Sequence, residues 1–120
     1  MNKPIHVKPS LYAFYFIELK EIALKYGYNL VVHGSLNRDL DLIAIPWQPE
    51  LKPVEPMIEE FAKYLDGYIM LQNGKTNNHM YHGRLSYIIN INRGRDSEGN
   101  DLQYYLDISV TPFIENYETN

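Results

Sequence analysis

Three aspartates stand where the chain reads as strand rather than turn: Asp39 and Asp41 in Asp39-Leu40-Asp41-Leu42-Ile43-Ala44-Ile45, and Asp107 in Leu106-Asp107-Ile108. Extended backbone sends alternate side chains to opposite faces, so Asp39, Asp41, Ile43 and Ile45 share one face and Leu40, Leu42 and Ala44 the other. Carboxylates at i and i+2 then lie about 6.5–7 Å apart, and Asp107 closes a triangle with them only if its strand pairs beside theirs. A carboxylate withdrawn from water is costly unless it is paired or bound to a cation, so a group of two or three calls for neutralisation. Magnesium, which takes oxygen ligands and keeps several waters, suits carboxylates that face a phosphate-bearing substrate. The competing reading is a strand edge whose acids face water or pair with Arg38, Arg84 or a lysine, with Asp107 a lone acid on the solvent face of a hairpin.

Just before the first two acids stands His33-Gly34-Ser35. A glycine at a strand end lets a phosphate approach the main chain, and the serine adds a hydroxyl and an amide for phosphate oxygens. Only Leu36, Asn37 and Arg38 separate Ser35 from Asp39, which makes a tight connection with Arg38 as a further phosphate contact or as the partner of the aspartates. His33 reads as a satisfied strand histidine or as a base. His79-x-x-His82 has zinc-like spacing but no cysteine or third histidine nearby. Lys75, Asn77, Asn78, His79, Tyr81 and Arg84 form a polar stretch that is solvated or in contact with a ligand.

The elements that must position these residues follow from periodicity. Ser10 can cap a helix over residues 11–26, where Leu11, Phe14, Tyr15, Ile17, Leu19, Ile22, Leu24 and Tyr26 recur near helical spacing until Gly27. Tyr28 to His33 reads as a buried strand and Asp39 to Ile45 as the next. Pro46, Pro49, Pro53 and Pro56 mark an extended connection that folds back over the sheet edge. Met57, Ile58, Phe61, Ala62, Tyr64 and Leu65 then give a second amphipathic helix ending at Gly67, with Pro56 in its first turn. A short strand at Tyr68 to Leu71 and a polar loop from Gln72 to Gly83 precede two apolar runs, Arg84 to Asn92 and Leu102 to Val110. These runs predict an antiparallel hairpin, with Leu102, Tyr104, Leu106, Ile108 and Val110 on one face and Gln103, Tyr105, Asp107 and Ser109 on the other.

The 120 residues and 45% hydrophobic content predict one α+β domain over 1–120, its core at about 10–112. Its sheet, mixed or antiparallel with about 4–5 strands, carries both helices on one face. A net charge of −4 provides no global basic footprint for coating nucleic acid, so such a partner would need a local patch. Most of the eleven tyrosines, among them Tyr12, Tyr15, Tyr26, Tyr64, Tyr87 and Tyr104, fall at core spacing. The absence of cysteine excludes disulfides and thiolate chemistry. With no apolar run of signal-peptide or membrane-span length, the expected compartment is the cytoplasm, without membrane contact.

The strand leading into Gly34-Ser35, the following Asp39-Leu40-Asp41 and the later Asp107 resemble the pattern of the nucleotidyltransferase superfamily that includes polymerase beta, and within it the minimal single-domain members. The order of elements over most of residues 10–112 is similar too. The resemblance implies that Asp39, Asp41 and Asp107 are the catalytic, metal-ligating residues for two Mg2+ ions. It implies further that Gly34, Ser35 and Arg38 contact the phosphates of a nucleoside triphosphate such as ATP. The implied activity is metal-dependent nucleotidyl transfer to an unknown hydroxyl acceptor, aided by a protein partner or a second copy of the chain. Two other readings stand beside it. One is a small metal-dependent nuclease, because Arg38-Asp39-Leu40-Asp41 also looks like the acidic run of small phage-type Holliday-junction resolvases. The other is a catalytically silent nucleotidyltransferase-like binding domain.

Overall fold

The computed structural model describes residues 7–34, 39–80, 83–95 and 101–112. Helix α1 (Val7–Lys25) leads into strand β1 (Tyr28–His33), followed by β2 (Asp39–Pro46), α2 (Val54–Leu65), the short strands β3 (Tyr68–Ile69) and β4 (Asn78–His79), and the long β5 (Leu85–Arg95) and β6 (Asp101–Val110). The architecture is α+β, as expected, with an open mixed sheet in the order β1-β2-β6-β5-β3 and β4 paired to β5 off that path. The six strands exceed the 4–5 predicted. The extra one, β4, is two residues inside the stretch read as a polar loop and has no alternating pattern of its own. It exists because its backbone finds β5, Asn78 opposite Ser86 and His79 opposite Leu85.

The sheet is mixed because β2 and β6 run parallel while the other pairs are antiparallel. Inward positions of the strands meet both helices in one core. Tyr28 and Leu30 of β1, Leu40, Leu42 and Ala44 of β2, Tyr87, Ile89 and Ile91 of β5, and Leu106 and Ile108 of β6 pack with Tyr12 and Leu19 of α1 and Met57, Ile58 and Phe61 of α2. Each is an alternate residue of its strand, so the opposite sheet face is left to polar and mixed side chains.

Helix α1 begins at Val7, four residues before the expected start, so Ser10 lies in its first turn and not ahead of it. Pro9 does not prevent this, because an amide in the first turn has no intrahelical acceptor to lose. The buried stripe is Tyr12, Tyr15, Leu19, Ile22 and Ala23; Phe14 and Ile17, which belong to the same helical repeat of apolar residues, point outward. Helix α2 buries Met57, Ile58, Phe61, Ala62 and Leu65 as predicted, while Tyr64 sits at the surface. Asp66, not Gly67, takes the left-handed conformation that ends α2 (φ 55°), and the Gly67 amide donates to Ala62 O at 2.9 Å. Gly67 is needed for space: a Cβ there would collide with the carbonyl oxygen of Asn90 on β5.

The proline-rich connection returns beside the end of α1, where the Trp47 amide donates to Gly27 O and the Lys52 amide to Tyr26 O. The polar segment after β3 is more ordered than a solvated loop. Gln72 and Lys75 exchange backbone hydrogen bonds around Asn73 and Gly74, both at positive φ. The Glu55 carboxylate in the first turn of α2 accepts from the Tyr87 hydroxyl at 2.7 Å and from Asn77 Nδ2 at 3.3 Å, which fastens the loop to both layers.

Candidate functional site

The acids come together through one pairing. In the parallel β2–β6 ladder Asp41 stands opposite Asp107 and Asp39 opposite Tyr105, so the three carboxylates share the face turned away from the core. Neighbouring strands lie about 4.8 Å apart, which puts Asp41 and Asp107 side by side. On the other side of Asp41, the antiparallel β1–β2 ladder sets His33 directly across from it. On the other side of Asp107, β5 contributes Ile88. One row across the sheet therefore reads His33, Asp41, Asp107, Ile88.

A pocket of about 290 Å³ opens over this row, lined by His33, Asp41, Ile43, Arg84, Asp107 and Ser109. Its electrostatics are unbalanced. Burial, and then repulsion from Asp39, push the Asp41 carboxyl above the usual carboxylate range, with His33 partly offsetting the rise. Burial, and then repulsion from Asp41 and Asp39, do the same to Asp107. Arg84 lines the same pocket, while the influences that move the two carboxyls are burial, the neighbouring aspartates and, for Asp41, His33. The pocket thus sets a guanidinium beside a pair of carboxylates, a combination that fits an anion held next to a cation.

Gly34 is built for closeness to the acids. Its φ is +91°, a conformation side chains rarely adopt, and a Cβ there would stand 2.9 Å from Asp41 Oδ2. The main chain at the end of β1 thus runs against the Asp41 carboxylate. Ser35 and Arg38, the other two phosphate-contact candidates, lie outside the described residues, as does His82 of the histidine pair.

The donor chemistry, carboxylate oxygens with an imidazole beside them, fits a hard divalent cation. As the side chains stand, no three His, Asp or Glu among the described residues form a closed ligand group. The backbone register, not a finished coordination shell, is what the fold supplies.

Two lining residues were legible only in part. Ser109 falls on the predicted polar face of β6, two residues beyond Asp107, but alternation alone does not say that the pocket reaches it. His33 carries no sequence signal beyond its place before Gly34, and only the β1–β2 register sets it across from Asp41. Among the described residues no helix is long and apolar enough to cross a membrane. Compared with models of protein families, with curated proteins and with solved structures, the chain matches none.

Proposed function

We propose that the domain carries out magnesium-dependent transfer of a nucleotidyl group from a nucleoside triphosphate to a hydroxyl acceptor. The observation that carries the reading is the parallel pairing of β2 with β6, in which Asp41 meets Asp107 on the face that Asp39 also occupies. Asp39, Asp41 and Asp107 would hold the metal ions. Bound there, the ions would polarise the phosphate and stabilise the attacking and leaving oxygens. Gly34 brings the main chain at the end of β1 against the Asp41 carboxylate, so a phosphate held by a cation on Asp41 would lie near that backbone, and Arg84 offers a guanidinium in the same pocket. Asp107, beside Asp41 on the same face, would as a carboxylate accept the proton of the incoming hydroxyl as its oxygen bonds to the α-phosphorus and pyrophosphate departs.

A second reading, a nucleotide-binding domain without transfer activity, is favoured by the three residues between Ser35 and Asp39, a shorter connection than the family pattern has. Isothermal titration with a non-hydrolysable nucleoside triphosphate, with and without Mg2+, tests the shared part of both. Binding is expected to depend on Mg2+ and to weaken at least about ten-fold in the Asp39→Asn/Asp41→Asn double variant. Binding by a well-folded double variant as tight as by the native chain would sink the proposal. Incubation with a labelled triphosphate and candidate hydroxyl acceptors then separates transfer from binding alone.

A further inference from the structure

The row next to the carboxylates contains a polar group that the fold leaves unsatisfied. Asn90 on β5 is 3% exposed, and its Oδ1 has no hydrogen-bond partner among the described residues. Tyr87, Ile89 and Ile91 of the same strand enter the core, so alternation places the Asn90 side chain on the face of the acids. Its cross-strand neighbours there are Tyr68 of β3 on one side and Tyr105 of β6 on the other. Tyr105 in turn stands opposite Asp39. This second row reads Tyr68, Asn90, Tyr105, Asp39, and lies directly beside the row of His33, Asp41, Asp107 and Ile88.

Buried carbonyl oxygens in folded proteins nearly always have a partner, and one that lacks it weakens the fold. An amide held between two phenol rings offers what a planar heterocycle requires: an acceptor and a donor side by side, with aromatic surface on both flanks. Asn90 is also rigidly placed, because Gly67 packs against its backbone carbonyl. It lies diagonally across the β5–β6 ladder from Asp107, about 7–8 Å away. That separation is of the order of one sugar between the phosphate that meets the metal and the base it carries.

We propose that Asn90, flanked by Tyr68 and Tyr105, recognises the base of the nucleotide, its Oδ1 accepting from an exocyclic amino group while Nδ2 donates to the adjacent ring nitrogen. Adenine and cytosine present that edge. The inference rests on the nucleotide-binding reading of the carboxylate face and adds to it the residue that selects the base. Tyr68, 56% exposed, is the ring that must shift to admit the base, whereas Asn90 itself stays fixed.

The test titrates the four non-hydrolysable nucleoside triphosphates with Mg2+, inorganic tripolyphosphate with Mg2+, and adenosine alone, against the native chain and the Asn90→Leu variant. The native chain is expected to bind the adenine and cytosine nucleotides about ten-fold tighter than the guanine and uracil nucleotides or tripolyphosphate. Asn90→Leu is expected to abolish that preference and leave tripolyphosphate binding unchanged. It should also melt at the same temperature or higher, since an unpaired polar atom has been removed; a residue serving the fold alone would give the opposite result. If Asn90→Leu does not fold, the exposed Tyr68→Ala carries the test with the same expected loss.

Equal binding of tripolyphosphate and all four nucleotides would overturn the role of Asn90 and leave the metal–phosphate reading standing. Preference for guanine and uracil would overturn it as well. Adenosine binding that depends on Asn90, without any tripolyphosphate binding, would support the base site and overturn the reading of the carboxylates. No binding in any arm would overturn both.

Discussion

Asp41 and Asp107 weaken the fold at neutral pH, and the sign of that effect follows from their shifts. Both carboxyls are raised first by burial and then by neighbouring charge, Asp39 acting on Asp41 and both Asp41 and Asp39 acting on Asp107, so the folded chain holds their protons more tightly than the unfolded chain does. Their favourable contribution is complete below the ordinary aspartate value of about 3.9 and is lost as pH rises through the raised values. Thermal melts of Asp107→Asn are therefore expected to lie above those of the native chain at pH 7, with the gap closing as pH falls toward about 4. A variant less stable than the native chain at pH 7 would show that Asp107 is held by a stabilising partner. Glu60 works in the other direction. Its ion pair with Lys25 and its hydrogen bond from the Tyr26 hydroxyl hold its carboxyl below the usual range, so its small contribution is present above the ordinary glutamate value and lost in acid. Comparing variant with native chain at each pH cancels that background. At the same scale the residues differ in legibility. Asp39, Asp41 and Asp107 announce themselves as acids inside apolar alternation, whereas Asn90 is one amide in Ser86-Tyr87-Ile88-Ile89-Asn90-Ile91 whose lack of a partner no pattern reveals.

Among the elements, α1 and α2 show what helical periodicity can and cannot decide. In α2 the apolar residues fall on one side, and the predicted set is the buried set apart from Tyr64. In α1 apolar residues surround the axis, so their spacing marks a helix without saying which side faces the sheet. Contact with β1 and α2 selects Tyr12, Tyr15, Leu19, Ile22 and Ala23, and leaves Phe14 and Ile17 67% and 68% exposed. Urea denaturation is expected to show Leu19→Ala losing about 2–5 kcal/mol and Ile17→Lys changing stability by no more than about 0.5 kcal/mol. A large loss from Ile17→Lys would mean that the outer side of α1 is covered in solution. The segment between β3 and β5 gives the converse lesson. Its composition reads as loop because its order comes from distant groups, the Glu55 carboxylate and the backbone of β5, and not from a hydrophobic repeat of its own.

For the whole molecule, the decisive feature is that β2 and β6, separated by nearly half of the chain, end side by side at the centre of the sheet, with β1 and β3 at the ends of the path. Central strands open only with the whole domain, while edge and two-residue strands open locally. Amides of β2, β6 and the middle of β5 should accordingly exchange most slowly, with opening energies near the global value of about 5–15 kcal/mol, and β4 should exchange far faster. Comparable protection of β4 and β6 in a hydrogen-exchange experiment would contradict this hierarchy. The sequence by itself determined the local facts: which runs are extended, which residues share a face within each strand, that β5 and β6 form a hairpin, and that three carboxylates lie inside strands. Those properties follow from backbone geometry and apolar alternation over a few residues. Tertiary structure alone decided that β2 pairs with β6, that the pairing is parallel, and that the register sets Asp41 against Asp107 and Asn90 beside Tyr68 and Tyr105. Neighbour and register are chosen by burying all the inward faces in one core, and a slip of one residue would carry every acid to the wrong side. No short stretch of sequence contains that choice, because the choice is a property of the packed whole.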